Sequence, residues 1–144
     1  MSFDDQANNP GFLMADIHRL LRRVYTQRTD ENSLTQAQAK ALLFISKHQG
    51  VKQRELANAL EIQPMTMAKL LDHLEDQALI ARKSDPNDRR AHQIHLTKAA
   101  GPHLRQIKKI THSLLSDMLQ DLDTNEVEQL LLMLNKIRDR LLSL

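Results

Sequence analysis

Cysteine is absent from this chain of 144 residues, which also has only three glycines and four prolines. Without cysteine, the chain can form neither disulfides nor thiolate metal sites, and it has no thiol nucleophile or thiol redox sensor. So few glycines leave no glycine-rich phosphate loop, and so few turn residues argue against an all-β fold. We therefore expect a mainly helical protein in a reducing compartment, the cytoplasm.

Aromatic residues make up 3% of the chain, which is too few for a base-stacking platform on single-stranded nucleic acid. The longest apolar run, residues 130–134, is far shorter than the roughly 18 residues of a membrane span. The N-terminus carries acids where a secretory signal carries basic residues. The sequence thus predicts no membrane partner.

Charge is distributed unevenly, although the formal net charge is only +2. Between Arg82 and Lys109 there are eight basic and two acidic residues, a local charge of +6. Between Ser113 and Leu144 there are six acidic and three basic residues, a local charge of −3. A basic middle beside an acidic end predicts a polyanionic partner for the middle segment only.

Hydrophobic spacing predicts helices at both ends of the chain. The first follows Pro10, a second begins after Thr35 with a capping-box glutamine at Gln38, and a long helix runs from Thr97 to about Leu122. The helix that follows is too apolar for the surface of a small monomer. It could pack on its own domain, but we favour a subunit interface made with the first helix, at Leu13, Ile17, Leu130, Leu134, Ile137 and Leu141.

Two short helices, predicted at residues 52–60 and from Pro64 to about Gln77, are separated by three to four residues. This is the spacing of a helix-turn-helix, although many helical proteins contain such a corner. A predicted β-hairpin follows, with a turn at residues 84–88 and Arg89 and Arg90 near its tip. A helix pair followed by a cationic hairpin indicates a DNA-binding winged helix more specifically than the helix pair alone.

Signals for catalysis or metal binding are weak. No pair among the seven histidines lies beside carboxylates at ligand spacing, and no Gly-x-Ser-x-Gly motif is present. We therefore predict no enzyme activity, no catalytic residue, no metal and no cofactor.

Several segments together resemble the MarR family of winged helix-turn-helix regulators, and the similarity extends over essentially the whole chain. The segments are Leu34-Thr-Gln-Ala-Gln38, Gln53-Arg-Glu-Leu-Ala57, Leu70-Leu-Asp-His-Leu-Glu-Asp76, Leu79-Ile-Ala-Arg82, Asp88-Arg-Arg-Ala91 and Leu96-Thr97. The most diagnostic is the Asp-x-Arg wing followed by Leu-Thr. Ala100 and Pro102 after that pair are similar to the SlyA branch.

The resemblance implies a homodimeric transcription factor, commonly a repressor released by small, often aromatic, anions. It implies a mainly α fold with a β-hairpin wing, in which residues 34–97 form the winged helix-turn-helix. Residues 1–33 and 98–144 then form the helical dimerisation region. The expected partners are double-stranded DNA, a second copy of the chain and a small-molecule effector.

Within that resemblance, each candidate contact has a chemical role. The second short helix is expected to read base edges in the major groove through its outward side chains, and Arg90 is expected to enter the minor groove. Asp88 is expected to hold an arginine and fix the hairpin tip. The reading residues are Gln63, Pro64, Thr66, Ala68 and Lys69, and the phosphate contacts are Lys52, Gln53, Arg54, Lys83 and Arg89.

Ala78 departs from the family pattern, since the family usually has glycine before Leu79-Ile80. An alanine there lacks easy access to the left-handed conformation that ends a helix, at a cost of up to about 1 kcal/mol, or else it shifts the cap. One alternative function stays open: a winged helix that binds protein and has lost DNA recognition. Such a protein would not need Lys69, Lys83, Arg89 and Arg90 on one face.

Overall fold

The computed structural model describes residues 6–144, in which six α-helices and a three-stranded antiparallel sheet follow a short 3-10 helix at Gln6–Asn8. The mainly helical fold with a small wing, predicted from the sequence, is confirmed. The helices are α1 (Pro10–Gln27), α2 (Gln36–Lys47), α3 (Gln53–Ala59), α4 (Pro64–Asp76), α5 (Ala100–Met118) and α6 (Thr124–Leu142); the strands are β1 (Val51–Lys52), β2 (Ile80–Asp85) and β3 (Asp88–Leu96).

Side-chain caps explain where several helices begin. The Thr35 hydroxyl accepts a hydrogen bond from the Gln38 backbone N–H (3.3 Å), and the Gln38 side chain accepts one from the Thr35 N–H (3.0 Å). This confirms the predicted capping box. Asp123 and Glu126 form the same reciprocal pair at the start of α6.

The sheet has the strand order β1-β3-β2, with Val51 opposite Ile94 and Ile80 opposite Leu96. Strand β1 was not predicted, because two residues are too few for an alternating pattern to show. Lys52 therefore lies on a strand, and the prediction that it opens the following helix is wrong by one residue. The hairpin turn is also shorter than predicted, since the strands extend to Asp85 and from Asp88.

A continuous apolar core lies within the winged-helix segment. Each of its helices contributes one stripe of buried side chains, and the sheet contributes its inner face. The largest fully buried side chains are Leu42, Ile45, Leu56, Met67, Leu71, Leu74, Leu79 and Ile94. This core fixes the position of α4 relative to α2, α3 and the sheet.

The chain divides into two compact units, one ending at Ile110 and one comprising Thr111–Leu144. Helix α5 begins at Ala100, two residues later than the predicted N-cap at Thr97 requires. Pro102 consequently lies in the first turn of α5, where it removes no helical hydrogen bond. Among residues 6–144, no helix has both the length and the apolarity to cross a bilayer.

Ala78 ends α4 in the left-handed conformation, with a φ of 59°. Its N–H donates to the Glu75 carbonyl (2.8 Å), and the Leu79 N–H donates to the Leu74 carbonyl (3.0 Å). The Thr97 hydroxyl donates to the Ala78 carbonyl, which holds the residue in place. Ala78 therefore has the unfavourable left-handed conformation that was expected where the family has glycine, and the cap does not shift.

Replacing Ala78 by glycine should stabilise the protein. Glycine adopts a positive φ without steric cost, and we expect the free energy of unfolding to rise by about 0.5–1 kcal/mol after the entropy of the unfolded chain is counted. Urea unfolding at one fixed protein concentration measures this change. Ala91→Gly in β3 is the matched control, and it should destabilise because Ala91 has ordinary strand geometry. Equal losses in both variants would contradict the prediction.

Candidate nucleic-acid interface

A tight turn at residues 60–63 joins α3 to α4. The Ile62 N–H donates to the Ala57 carbonyl (2.9 Å), and Glu61 has a left-handed φ of 52°. Gln63 then has an extended backbone, and Pro64 is the first helical residue. Proline suits this position because its missing N–H would have no helical partner. Helix α4 thus begins where the sequence predicted.

The outward face of α4 lies opposite its buried stripe, Met67, Leu71 and Leu74. Four of the five predicted reading residues are exposed and Ala68 is half-buried. These exposed side chains are at or near the N-terminal end of the helix, the end that reaches base edges in helix-turn-helix proteins. The exposed four are Gln63, Pro64, Thr66 and Lys69.

Met65 belongs to this face and was missed by the sequence prediction. It is the second residue of α4, and its side chain is 77% exposed. Helical periodicity could have found it, because Met65 lies about 160° around the helix axis from Met67.

The wing carries three exposed cations, Lys83 on β2 and Arg89 and Arg90 at the start of β3. Pro86 and Asn87 form the turn between the strands. Both arginines therefore lie within three residues of the tip, as the sequence predicted. Long cationic side chains in this position can reach a phosphate or a narrow groove.

A buried carboxylate shapes the wing tip. Asp85 is only 5% exposed; it accepts a hydrogen bond from the Asn87 N–H (2.9 Å) and pairs with the Lys52 ammonium (3.4 Å). Asp88, the predicted tip-fixing acid, accepts from the backbone N–H of Arg90 (3.0 Å), not from the predicted arginine side chain. Asp85 was not singled out from the sequence, because its partner Lys52 is distant in the chain.

Arg82 links the wing to α4. Its guanidinium donates to Glu75 (Nε to Oε2, 3.2 Å) and to Asp72, and its backbone N–H also donates to Glu75 (3.2 Å). The Arg82 side chain is only 18% exposed. These ion pairs join α4 to the hairpin, so they help to fix the orientation of α4 relative to the wing.

Two of these carboxylates have pKa values below their usual range. The hydrogen bond from Arg82 holds the pKa of Glu75 below its usual range, and the hydrogen bond from the Asn87 backbone lowers the pKa of Asp85. Because both pKa values are lower in the folded chain, both groups stabilise the fold above the unfolded pKa. That stabilisation is lost as the pH falls through the folded values. Within residues 6–144, histidines and acids form no group that could hold a metal ion.

The predicted phosphate contacts at the start of α3 differ in their exposure and in whether they already have a charged partner. Arg54 is exposed and Gln53 is half-buried. Lys52 precedes the helix and already pairs with Asp85. In the structure, Lys52 therefore helps to hold the wing tip.

Helices α1 and α6 each carry an exposed apolar stripe. On α1 the stripe includes Leu13 and Ile17; on α6 it includes Leu134, Ile137 and Leu141, with Leu130 half-buried. Neither helix buries these large apolar side chains in the core of its own unit.

A cleft of about 740 Å³ lies between α1, the start of α2 and the turn before α4. Its basic side chains are His18, Arg22 and Lys40, and its acids are Asp30 and Glu61. Asp30 already accepts hydrogen bonds from the Asn32 N–H (3.0 Å) and the Ser33 hydroxyl (2.9 Å). Tyr25 also lines the cleft, and burial raises the pKa of its phenol.

The winged-helix segment matches a known family model, that of the MarR family, over residues 34–92. The matched segment contains α2, β1, α3, α4, β2 and most of β3. It therefore includes every predicted DNA-contacting residue.

Solved structures of MarR proteins and other regulators superpose on most of the chain. CouR, a transcriptional repressor solved bound to a 23-mer DNA duplex, is 26% identical, with a TM-score of 0.83 and coverage of 96% of this chain and 98% of CouR. A mutant MarR from E. coli, complexed with operator DNA, is 23% identical, with a TM-score of 0.78 and coverage of 88% and 91%. The PcaV regulator from Streptomyces coelicolor, in complex with its natural ligand, is 20% identical, with a TM-score of 0.79 and coverage of 96% and 98%.

Proposed function

We propose that this protein is a homodimeric transcriptional repressor that binds a near-palindromic operator in double-stranded DNA. One observation carries the proposal: a single MarR family domain contains both the exposed face of α4 and the cationic wing. The similarity to CouR, which was solved on a DNA duplex, supports it. Such a regulator acts on DNA in the cytoplasm.

In this proposal, α4 enters the major groove and the wing lies over the adjacent minor groove. Lys69 binds guanine acceptors and Thr66 binds a base edge or a thymine methyl group. Arg90 enters the minor groove, where the negative potential is concentrated. The phosphate contacts are made by Lys52, Gln53, Arg54, Lys83 and Arg89, which carry affinity without sequence information.

The exposed stripes of α1 and α6 form the subunit interface. We accordingly divide the chain into a DNA-binding region at residues 34–97 and a dimerisation region at residues 1–33 and 98–144. The assignment to a SlyA-like branch, which rests on Ala100 and Pro102, stays a prediction.

Selection from a random duplex library followed by footprinting tests this function. Two equivalent winged helices on a two-fold axis must meet the same groove about one helical turn apart, roughly 34 Å. We therefore expect a two-fold symmetric footprint and an affinity that falls steeply with salt concentration. A single asymmetric half-site of a few base pairs would contradict the dimeric arrangement.

The alternative function is a protein-interaction module without specific DNA binding. Its signature in the same experiment is distinct: no sequence is enriched, and binding to random duplex shows no steep salt dependence. The exposed cations of the wing favour DNA, because a protein-binding winged helix has no need of them.

We also propose that the cleft beside α1 binds a small aromatic anion that modulates DNA binding. Arg22 and Lys40 supply positive charge, and the Asp30 carboxylate is already occupied by its own loop. Tyr25 supplies an aromatic surface beside them. A carboxylate paired with Arg22 and a ring near Tyr25 would use both features.

Intrinsic fluorescence reports selectively on this cleft, because Tyr25 is the only tyrosine and the chain has no tryptophan. Benzoate should perturb the tyrosine emission at lower concentration than its neutral analogue benzamide. Arg22→Gln should weaken benzoate binding about tenfold through the loss of a charge-assisted hydrogen bond. Arg23→Gln is the control, since Arg23 does not line this cleft. Equal binding of benzoate and benzamide would contradict an anion site.

A further inference from the structure

Met65 stands apart from the other exposed apolar side chains of the protein. It is 77% exposed on the first turn of α4, whereas the other exposed large apolar side chains of the described residues lie on α1 or within residues 115–144. Neither the core nor the proposed subunit interface accounts for it. A large apolar side chain at the start of a reading helix needs a partner of its own.

The helix geometry fixes where Met65 projects. Met65 and Lys69 are four residues apart, so they lie on one side of α4, opposite the buried Met67 and Leu71. The residues beside Met65 on this surface, Pro64 and Thr66, are uncharged. Met65 is therefore at the centre of an uncharged patch with one lysine a turn further on.

The major groove offers one apolar group to such a patch. Guanine, adenine and cytosine present hydrogen-bonding atoms there, and thymine alone adds a C5-methyl group. We propose that Met65 is a specificity-determining residue that reads a thymine in each half-site by packing against that methyl group. The unbranched thioether chain can adjust to the groove without a fixed shape. This inference rests on the proposed function, because it requires α4 to lie in the major groove.

Replacing single thymines by deoxyuridine tests the contact, since the exchange removes only the methyl group. The probe is a duplex that the wild-type protein selects from a random library, and anisotropy titrations measure the dissociation constant for each substituted duplex. We expect one thymine per half-site at which uracil weakens binding about fourfold, or about fifteenfold when both half-sites are changed. In Met65→Ala, binding should be weaker and the same exchange should have no effect.

Met65→Leu is the matched control, because it keeps an apolar side chain and should retain the sensitivity to uracil. Thermal unfolding should be unchanged in both variants, since Met65 contributes nothing to the core. The inference about Met65 would be overturned if Met65→Ala bound a selected duplex as tightly as the wild type or kept its sensitivity to uracil. The proposed function would not be affected by either outcome. A wild-type protein that selects no sequence would instead overturn the proposed function.

Discussion

Replacing Leu134 and Leu141 together by aspartate should abolish the dimer. The two side chains are seven residues apart, so they lie on one face of α6, and they are 43% and 65% exposed in the single chain. In the proposed interface each aspartate would be an unpaired charge in an apolar seam, which costs several kcal/mol. We expect the dissociation constant of the dimer to rise at least about a thousandfold. Analytical ultracentrifugation measures the mass, and circular dichroism reports whether the variant stays helical.

The matched control places the same charges on the other side of α6. Gln129 and Lys136 are also seven residues apart, are exposed, and lie opposite the Leu134 face. Gln129→Asp with Lys136→Asp should leave the dimer intact. A folded dimer of the Leu134→Asp, Leu141→Asp variant would show that this face of α6 is not the interface.

Arg90→Ala and Lys69→Ala should weaken DNA binding in different ways. Arg90 lies on the wing and is assigned to the minor groove, which distinguishes mainly A·T from G·C pairs. Its loss should weaken binding to most sequences and reduce the salt slope by about 1. Lys69 lies on the outward face of α4, and its loss should cost about 1–3 kcal/mol on the selected duplex and relax preference at one position per half-site.

Titrations at several salt concentrations, on the selected duplex and on a scrambled one, distinguish the two effects. The residues are on separate elements, so the losses should nearly add in the double variant. Lys108→Ala, which removes an exposed cation on α5 outside the segment that the MarR family model matches, is the control and should change neither property. If Arg90→Ala leaves both affinity and salt slope unchanged in a folded protein, the wing does not enter the groove.

The sequence by itself determined the features that depend on neighbouring residues. The capping box of Thr35 and Gln38 and the start of α4 at Pro64 follow from local rules. The left-handed residue at position 78 was expected from the resemblance to a family that usually has glycine there. The arginines near the wing tip were predicted in the same way, because a turn cluster with adjacent charges is a local pattern.

Only the tertiary structure decided the contacts between distant segments. Strand β1 exists because Val51 pairs with Ile94, and its two residues carry no pattern of their own. Two sets of ion pairs join separate elements: those of Arg82 with Asp72 and Glu75, and that of Asp85 with Lys52. Such ion pairs have no spacing rule in the sequence, since folding alone brings their charges together. Met65 was not singled out from the sequence, and its position on the folded helix places its side chain outside the core.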